Sequence, residues 1–403
     1  ALHQYPTELS PERVELHPRR VVGLVSTGYG SAMLPSRRGE RPRPGNGRFQ
    51  ERSNPEDVPA GVEGQSRARE GPPEARNSPR RPRRHLGTNY YEWVTTQFAT
   101  AMAGFVLVNI NPAYQYDELQ YSMRKVGVKA LITPPAFSSS NYYRSLNAII
   151  PQLSSAPEGI GAVHSHDLPE FAHLIVFGNA QSFRGAWNYA DIVESGGSAE
   201  EALLGEAERK IRVDDPANIQ YTSGTTGYPK AATLTHHNIV NNAFFIGLRC
   251  GFDSERAIIC IPNPLYHCFG CVIGTMNAVI HQQTVVFPSP KFNTDAILRA
   301  IEEEKCTALY GTPTMFIDTL ANPRLKTTDL RSLHTGCVAG SPCPAALGSR
   351  MVQELNMRDM CMLYGTTEAS PIITMSYLED APAERIKNVG YVMDHVERAH
   401  SDD

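Results

Sequence analysis

From Asn89 onward, short continuous apolar runs alternate with stretches in which apolar residues recur at helical spacing. Continuous runs of this length predict strands buried on both faces, and the helical spacing predicts amphipathic helices. The predicted strands are 106–110, 130–133, 174–178, 219–222, 257–261, 284–287, 308–310, 334–339 and 361–364. The predicted helices are 90–102, 116–126, 236–248, 269–280, 294–304, 314–320 and 344–355, while 182–207 is less regular and predicts surface helix and loop. This alternation predicts an α/β protein with mainly parallel sheets flanked by helices.

One ten-residue stretch concentrates the residue types that bind phosphate. Residues 221–230 read Tyr-Thr-Ser-Gly-Thr-Thr-Gly-Tyr-Pro-Lys. Glycine lets a backbone approach a ligand closely, successive backbone N–H groups in such a turn form an anion site, and lysine adds a positive charge. The residues of this predicted polyphosphate loop are Thr222, Ser223, Gly224, Thr225, Thr226, Gly227, Tyr228, Pro229 and Lys230.

The loop differs from the common nucleotide motifs. A Walker A loop needs lysine directly after its last glycine, whereas two residues separate Gly227 from Lys230. The alternative is a solvated turn that binds nothing. A phosphate site is favoured because the loop follows a strand-like run and precedes the predicted helix at His236, and strand–loop–helix passages are where α/β proteins bind phosphate.

Three further segments follow in the second half of the chain. They are 264–267 (Pro-Leu-Tyr-His), 340–342 (Gly-Ser-Pro) and 364–368 (Tyr-Gly-Thr-Thr-Glu). With 221–230, these segments resemble, in order, the signatures of the adenylate-forming superfamily, which includes acyl-CoA synthetases, luciferases and the adenylation domains of peptide synthetases. Residues 89–132, 262–274 and 309–316 are more closely similar to mitochondrial medium-chain acyl-CoA ligases. The resemblance spans roughly 87–397. Ala231 departs from the family's usual glycine.

The resemblance implies an ATP-dependent ligase that joins a medium-chain fatty acid to coenzyme A through an acyl-AMP intermediate. The catalytic residues would be Lys230, Thr367 and Glu368. Glu368 would bind Mg²⁺, Thr367 would donate to the α-phosphate, and Lys230 with the rest of the polyphosphate loop would hold the β- and γ-phosphates. The nucleotide-binding residues would include the polyphosphate loop and Gly340, Ser341, Pro342, Tyr364, Gly365, Thr366 and Thr367. The acyl-binding residues would be Tyr266, His267, Phe269, Val272, Gly311, Thr312 and Met315. Three of these motifs follow the carboxyl ends of predicted strands, so they can converge on one nucleotide although they are far apart in sequence.

Each of these residues also has a purely structural interpretation. Glu368 could be an acid in the first turn of a helix, and Tyr364 could be an ordinary core aromatic. Ser341 could cap a helix that has Pro342 at its first position. His267 could be a core histidine whose hydrogen bonds are satisfied, and His236-His237 is expected to be a helix-entry pair instead of a metal site.

Charge divides the chain into two parts of different composition. Residues 1–86 contain sixteen Arg, no Lys and ten acidic residues, a net charge of +6, whereas the remainder carries −10. The first part is also rich in Pro and Gly, so we expect it to be disordered. The alternatives are a divergent splice form or an incorrectly predicted exon, a transit-related segment and a polyanion-binding arm. The acidic remainder argues against a nucleic-acid-binding protein.

All eight cysteines lie after residue 249, without a regular disulfide spacing, which is typical of a reducing compartment. Cys268 and Cys271 form a C-x-x-C pair with apolar flanks, and a packing role is expected for them. The chain has no apolar run of eighteen residues, so no transmembrane span is predicted.

The expected organisation is a disordered segment over 1–86, a partial adenylation domain over 87–397 and an unrelated tail over 398–403. Against the family pattern, the ribose-binding aspartate, the hinge and the small C-terminal lid domain with its lysine are expected to be absent. We therefore expect weak ATP binding and impaired thioester formation. The alternative is a non-catalytic nucleotide- or acyl-binding fragment that regulates a full-length partner. The resemblance implies a mitochondrial matrix location, although residues 1–86 have no clean transit-peptide composition.

Overall fold

The computed structural model describes residues 21–25, 89–137, 139–178, 182–223 and 228–397. The chain divides into two units, one of residues 1–34 with 85–403 and one of residues 35–84. All described residues belong to the first unit. The expectations for the rest of residues 1–88 and for the tail 398–403 lie outside the described residues.

Seven strands form the first sheet. They are β1 (Val21–Val25), β2 (Val106–Ile110), β3 (Ala130–Thr133), β4 (His173–Val176), β5 (Trp187–Asn188), β6 (Pro216–Thr222) and β7 (Lys230–Thr235). Their order is β5-β4-β3-β1-β2-β6-β7. All neighbours pair in parallel except β7, which runs antiparallel to β6. The residues of β2 are buried throughout, as its apolar run predicts.

The second sheet also has seven described strands. They are β8 (Ile258–Cys260), β9 (Thr284–Val286), β10 (Ala308–Gly311), β11 (Thr335–Val338), β12 (Asp359–Gly365), β13 (Ile372–Met375) and β14 (Tyr391–Val392). Their order is β14-β13-β12-β11-β10-β8-β9, with β13 and β14 added antiparallel at one edge. The parallel register places Gly311, Val338 and Met362 side by side, so β10, β11 and β12 end at a common edge.

Helices cover both sheets. They are α1 (Tyr91–Met102), α2 (Tyr116–Lys125), α3 (Tyr142–Ile149), α4 (Tyr189–Glu194), α5 (Ser198–Glu208), α6 (His236–Arg249), α7 (Asn277–Ile280), α8 (Thr294–Glu303), α9 (Pro313–Ala321), α10 (Ala345–Glu354) and α11 (Pro382–Arg385). A π-helix spans Phe269–Met276, and 3₁₀ turns span Pro151–Ser155, Pro323–Thr327 and Thr367–Ala369. Several helices begin where a side-chain oxygen accepts from a first-turn N–H, as Thr235 does for α6 and Thr312 for α9.

Three buried clusters define the layers. The central cluster combines α1, α6 and the π-helix with inward-facing residues of both sheets, among them Trp93 and Tyr310. A second cluster lies between the other face of the first sheet and α2 and α3, and a third lies between the second sheet and α8, α9 and α10. The two sheets therefore share a helical layer, and each carries further helices on its outer face. No described helix is long and apolar enough to cross a bilayer.

The predicted α/β class with mainly parallel sheets is confirmed. Residues 269–280 are helical as predicted, but their first eight residues form a π-helix. These eight residues include seven that are buried, so no polar face gave a periodicity from which the winding could be inferred. Sequence analysis missed α3, α11, β5, β7, β13 and β14.

The expectation of disorder over 1–86 is wrong for five residues. Val21–Val25 forms β1 and pairs with β2 on one side and β3 on the other. A run of five mainly apolar residues has the length and composition of a parallel strand, and pairing along both edges satisfies its backbone groups. The low apolar content of the surrounding sequence obscured this run.

Candidate functional site

The end of β6 and the turn after β12 meet between the two sheets. The Thr222 hydroxyl donates to Glu368 Oε1 at 3.3 Å, across 146 residues of sequence. Lys230 is the register partner of Thr222 in the β6–β7 pair, and its side chain is exposed. The structure thus brings together a hydroxyl and a carboxylate from two of the predicted phosphate-binding motifs, and Lys230 is paired with Thr222 in the β6–β7 ladder. Gly224, Thr225, Thr226 and Gly227 lie outside the described residues.

The loop between Thr222 and Lys230 joins two antiparallel strands. The expected strand–loop–helix passage is therefore wrong: β7 intervenes, and α6 begins only at His236. The prediction missed β7 because its sequence, Lys-Ala-Ala-Thr-Leu-Thr, has few strongly apolar residues. No helix N-terminus directly follows the loop, so any anion bound there would depend on backbone N–H groups, hydroxyls and Lys230.

The segment after β12 presents an aromatic ring and two polar groups. Tyr364 is 51% exposed, which excludes the core-aromatic interpretation. Thr367 and Glu368 lie in the short 3₁₀ turn Thr367–Ala369. Glu368 is in the first turn of this element, but the turn has only three residues and the carboxylate accepts from Thr222 of the other sheet. Its position is therefore explained by a contact between sheets in addition to a local helix dipole.

The turn after β11 leaves room for little beyond a glycine backbone. Gly340 has φ +93°, and a Cβ built there would lie 3.1 Å from Thr312 Cγ2. Ser341 and Pro342 are exposed. α10 begins at Ala345, with Pro344 at its N-cap, so the helix-cap interpretation of Ser341 is wrong. The exposed Gly340 backbone and Thr312 are thus neighbours at the common edge of β10 and β11.

Most predicted acyl-binding residues lie on two neighbouring elements, the π-helix and the β10–α9 turn. Phe269 is buried, and its ring centroid lies 6.2 Å from that of Tyr310 in β10. Met315 contacts the Asn263 amide through its sulfur at 3.9 Å. A Cβ on Gly311 would lie 2.9 Å from the Phe316 ring. Burial raises the pKa of Tyr266, while Val272 is fully buried and packs in the central cluster.

His267 is the predicted acyl-binding residue that lies two residues before the π-helix. Its side chain reaches solvent yet is surrounded by protein, and this desolvation lowers its pKa. Its Nδ1 accepts from the Phe269 N–H at 3.1 Å, which places the proton of the neutral ring on Nε2. A solvent-accessible ring does not fit the core-histidine interpretation. At neutral pH the predicted acyl-binding surface therefore presents an uncharged imidazole.

Within the described residues, no group of three or more His, Cys, Asp or Glu side chains is arranged to hold a metal ion. Glu368 is instead an exposed carboxylate with the Thr222 hydroxyl beside it. Mg²⁺ prefers oxygen ligands and is commonly held by one or two carboxylates together with substrate phosphates. The donor set therefore fits magnesium that arrives with a nucleotide.

Sequence analysis did not identify the residues that hold these segments in place. The buried Asn89 side chain donates to Asn263 O at 2.9 Å and accepts from Leu265 N at 3.0 Å. Asn242 of α6 makes a similar pair of bonds, at 2.8 and 3.0 Å, to the backbone of Ile372. Their partners are 130 or more residues away in sequence, so no local pattern could reveal them.

The family described as AMP-binding enzyme matches residues 86–403. The chain belongs to this family. Its zebrafish relative (Danio rerio), medium-chain acyl-CoA ligase ACSF2, mitochondrial, is 44% identical over 312 residues, which cover 77% of this chain and 51% of the relative. The human protein of the same name is 41% identical over 316 residues, with 77% and 51% coverage. The chain spans about half the length of these relatives.

Solved structures of CoA ligases share the fold. The anthranilate CoA ligase AuaEII, determined in complex with anthranoyl-AMP, matches with a TM-score of 0.58 and 22% identity, covering 75% of this chain and 53% of that one. A long-chain-fatty-acid-CoA ligase, FadD1 from Archaeoglobus fulgidus, matches with a TM-score of 0.54 and 21% identity, covering 75% and 55%. The predicted fold of the large N-terminal domain of adenylate-forming enzymes is confirmed for the matched region.

Proposed function

We propose that this chain carries the acid-activating site of an ATP-dependent fatty acid–CoA ligase that acts on medium-chain acids. One observation supports this most: the Thr222–Glu368 contact joins the polyphosphate loop of the first sheet to the Tyr-Gly-Thr-Thr-Glu segment of the second. The family membership and the names of the relatives support the same assignment.

In the proposed first step, a carboxylate oxygen of the fatty acid attacks the α-phosphorus of ATP. A new P–O bond forms, the bond from the α-phosphorus to the α,β-bridging oxygen breaks, and pyrophosphate leaves with the electron pair. No proton transfer is needed, so the protein's task is to align the reactants and to balance charge. Lys230 and the polyphosphate loop would stabilise the departing pyrophosphate, and Thr367 would donate to the α-phosphate.

The remaining residues would position the two ends of the acyl-AMP. Tyr364 is exposed and available to stack on adenine, and the turn of Gly340, Ser341 and Pro342 would border the base. The acyl chain would lie along Tyr266, His267, Phe269, Gly311, Thr312 and Met315. A neutral His267 suits this position, because Nε2–H can donate to a substrate carbonyl without forming a fixed ion pair.

Glu368 would hold magnesium together with oxygens of the ATP phosphates. The bound ion would neutralise phosphate charge and so favour attack by an anionic carboxylate. Thr222, by donating to one carboxylate oxygen, would keep the other oxygen of Glu368 available to the metal.

In the proposed second step, the sulfur of coenzyme A attacks the acyl carbonyl and the thiol proton passes to water. The bond from the carbonyl carbon to the phosphate oxygen breaks, and AMP leaves with the electron pair, giving the thioester. We place this chemistry in the mitochondrial matrix, in keeping with the mitochondrial names of the relatives. Immunodetection in matrix and membrane fractions would test the location, and recovery outside mitochondria would contradict it.

A stable mimic of the intermediate tests the site without requiring turnover. 5′-O-(N-octanoylsulfamoyl)adenosine joins an octanoyl chain to adenosine through a sulfamate in place of the phosphate. We expect calorimetric titration of the purified chain to give much tighter binding than sulfamoyladenosine without the acyl chain, because nucleotide and tail contacts are then made by one molecule.

Tyr364→Ala should weaken binding of both compounds, whereas Met315→Ala should weaken only the acylated one. Tyr91→Ala, at an exposed aromatic of α1, is a matched control and should change neither. Equal affinity for the acylated and unacylated compounds would contradict the proposed acyl site, and binding of neither would contradict the proposed function as a whole.

A further inference from the structure

Cys268 lies between the predicted acyl-binding residues and the predicted phosphate-binding segment that follows β12. Cys268 is 2% exposed and immediately precedes the π-helix. Its sulfur lies 3.5 Å from His267 Nδ1 and 3.8 Å from Thr367 Oγ1, a residue 99 positions away. It therefore contacts one residue of the predicted acyl wall and one of the predicted phosphate-binding segment.

The hydrogen-bond directions around this sulfur are constrained. His267 Nδ1 already accepts from the Phe269 N–H at 3.1 Å, so it carries no proton that the sulfur could accept. The acceptor capacity of Nδ1 is taken by that shorter bond, which leaves Thr367 Oγ1 as the open acceptor for the thiol proton. If the thiol donates to Oγ1, the Thr367 O–H is free to donate elsewhere.

We propose that Cys268 is a positioning residue that orients the Thr367 hydroxyl toward the α-phosphate. The inference rests on the proposed function, since it assigns the Thr367 O–H to the nucleotide. Burial raises the pKa of Cys268 to about 12, so the thiol keeps its proton at neutral pH and remains a donor. The thiol does not touch the reacting atoms and acts through Thr367.

Packing alone is the competing explanation for a buried cysteine, and a double-mutant cycle separates the two. The substitutions are Cys268→Ala, which removes the thiol, and Thr367→Val, which removes the hydroxyl but keeps a similar shape. The probe is 5′-O-(N-octanoylsulfamoyl)adenosine, whose sulfamate stands in for the α-phosphate. Affinity is measured by calorimetry, and melting temperature is recorded for every variant.

We expect Cys268→Ala to weaken binding about fivefold in the wild-type background, the typical effect of one hydrogen bond. In the Thr367→Val background the same substitution should change affinity less than twofold, because no hydroxyl is left to orient. Cys268→Ser keeps a donor and should restore most of the lost affinity. The melting temperature should fall equally in both backgrounds, because that effect reflects lost packing.

An equal loss of affinity in both backgrounds would overturn the inference and leave the proposed function standing. Failure of Cys268→Ser to recover affinity, with a melting temperature close to that of the wild type, would also overturn it. If the wild-type chain does not bind the probe, the proposed function fails and the inference fails with it. The results for the wild type and the cycle therefore distinguish the two failures.

Discussion

The hydroxyl of Thr222 and the carboxylate of Glu368 form a hydrogen bond of 3.3 Å between the two sheets of the protein. Thr222 is the last residue of β6, and Glu368 lies three residues after the end of β12. Each residue alone has an ordinary structural explanation. Their contact matters because it joins two sequence motifs that lie on different sheets, and Thr222 is also the register partner of Lys230 in the β6–β7 pair.

Removing the Thr222 hydroxyl should impair magnesium-dependent nucleotide binding. We expect Thr222→Val to weaken MgATP binding about tenfold, since hydrogen bonds to charged groups contribute about 1.5–3 kcal/mol. Titrations at a series of Mg²⁺ concentrations check this, and the defect should be smaller without the metal. Thr222→Ser keeps the hydroxyl and serves as the control. A defect that is independent of Mg²⁺ would show that Thr222 does not act through Glu368.

An alanine at Gly340 should be poorly tolerated. Its φ of +93° is unfavourable for a residue with a side chain, and the added methyl group would approach Thr312 at 3.1 Å. We expect Gly340→Ala to lower the free energy of unfolding by about 1–3 kcal/mol, measured by urea denaturation. Gly205→Ala in α5 is the contrast, because helical alanine should stabilise by up to about 1 kcal/mol. A Gly340→Ala variant with an unchanged free energy of unfolding would show that the turn relaxes to accommodate the methyl group.

The buried guanidinium of Arg249 should be essential to the edge of the second sheet. It donates to the carbonyls of Met375, Tyr391 and Val392 and lies 4.4 Å from the centroid of the Tyr377 ring. Lysine cannot reproduce this planar set of donors. Arg249→Lys should therefore destabilise by about 2–4 kcal/mol in urea unfolding. Arg331→Lys, at an exposed ion pair, should change the free energy of unfolding by no more than about 0.5 kcal/mol. Similar losses for the two variants would contradict the role proposed for Arg249.

The lowered pKa of His267 should make stability depend on pH. In the unfolded chain the ring takes up a proton as pH falls through about 6.5, whereas in the folded chain it does so only at lower pH. The stability that this difference in pKa contributes to the folded chain is therefore fully present above pH 6.5. It is lost as pH falls through the pKa of His267 in the folded chain. Melting temperatures from pH 7.5 to 5.0 should fall less steeply for His267→Gln than for the wild type. Parallel curves would contradict the assignment.

Acyl-chain length should control affinity through buried methylene groups. With acyl sulfamoyladenosines of six to twelve carbons, each added methylene that enters the pocket should tighten binding about fourfold, from about 0.8 kcal/mol per methylene. The increase should stop once the tail reaches the end of the pocket or solvent. Affinities that do not vary across the whole series would show that the tail remains in solvent.

Sequence analysis was most accurate for strands that are buried along nearly their whole length. The limits of β2 and β3 were predicted correctly because both are short apolar runs buried by their neighbours. Three of the four edge strands in the described sheets were missed: β5 and β14 have only two residues each, and all residues of β7 except Leu234 are exposed or half-buried. Such strands depend on pairing with a neighbour, and the sequence of the strand itself carries little sign of that pairing.

The candidate site shows the same division. Its motifs could be placed at the carboxyl ends of strands from their order along the chain. The structure locates Tyr364 near the carboxyl end of β12, but Lys230 is the first residue of β7, paired with the last residue of β6. The Thr222–Glu368 and Cys268–Thr367 contacts could not be predicted, because each joins residues 99 or more positions apart whose packing depends on the whole central cluster. Asn89 and Arg249 were missed for the same reason.

The most direct test is a crystal structure of the chain with Mg²⁺ and α,β-methylene-ATP, which cannot release pyrophosphate. The account predicts the β- and γ-phosphates within hydrogen-bond distance of Lys230 Nζ, the metal beside Glu368 and the adenine against Tyr364. A nucleotide bound at another surface, with Lys230 and Glu368 free of phosphate and metal, would contradict the account.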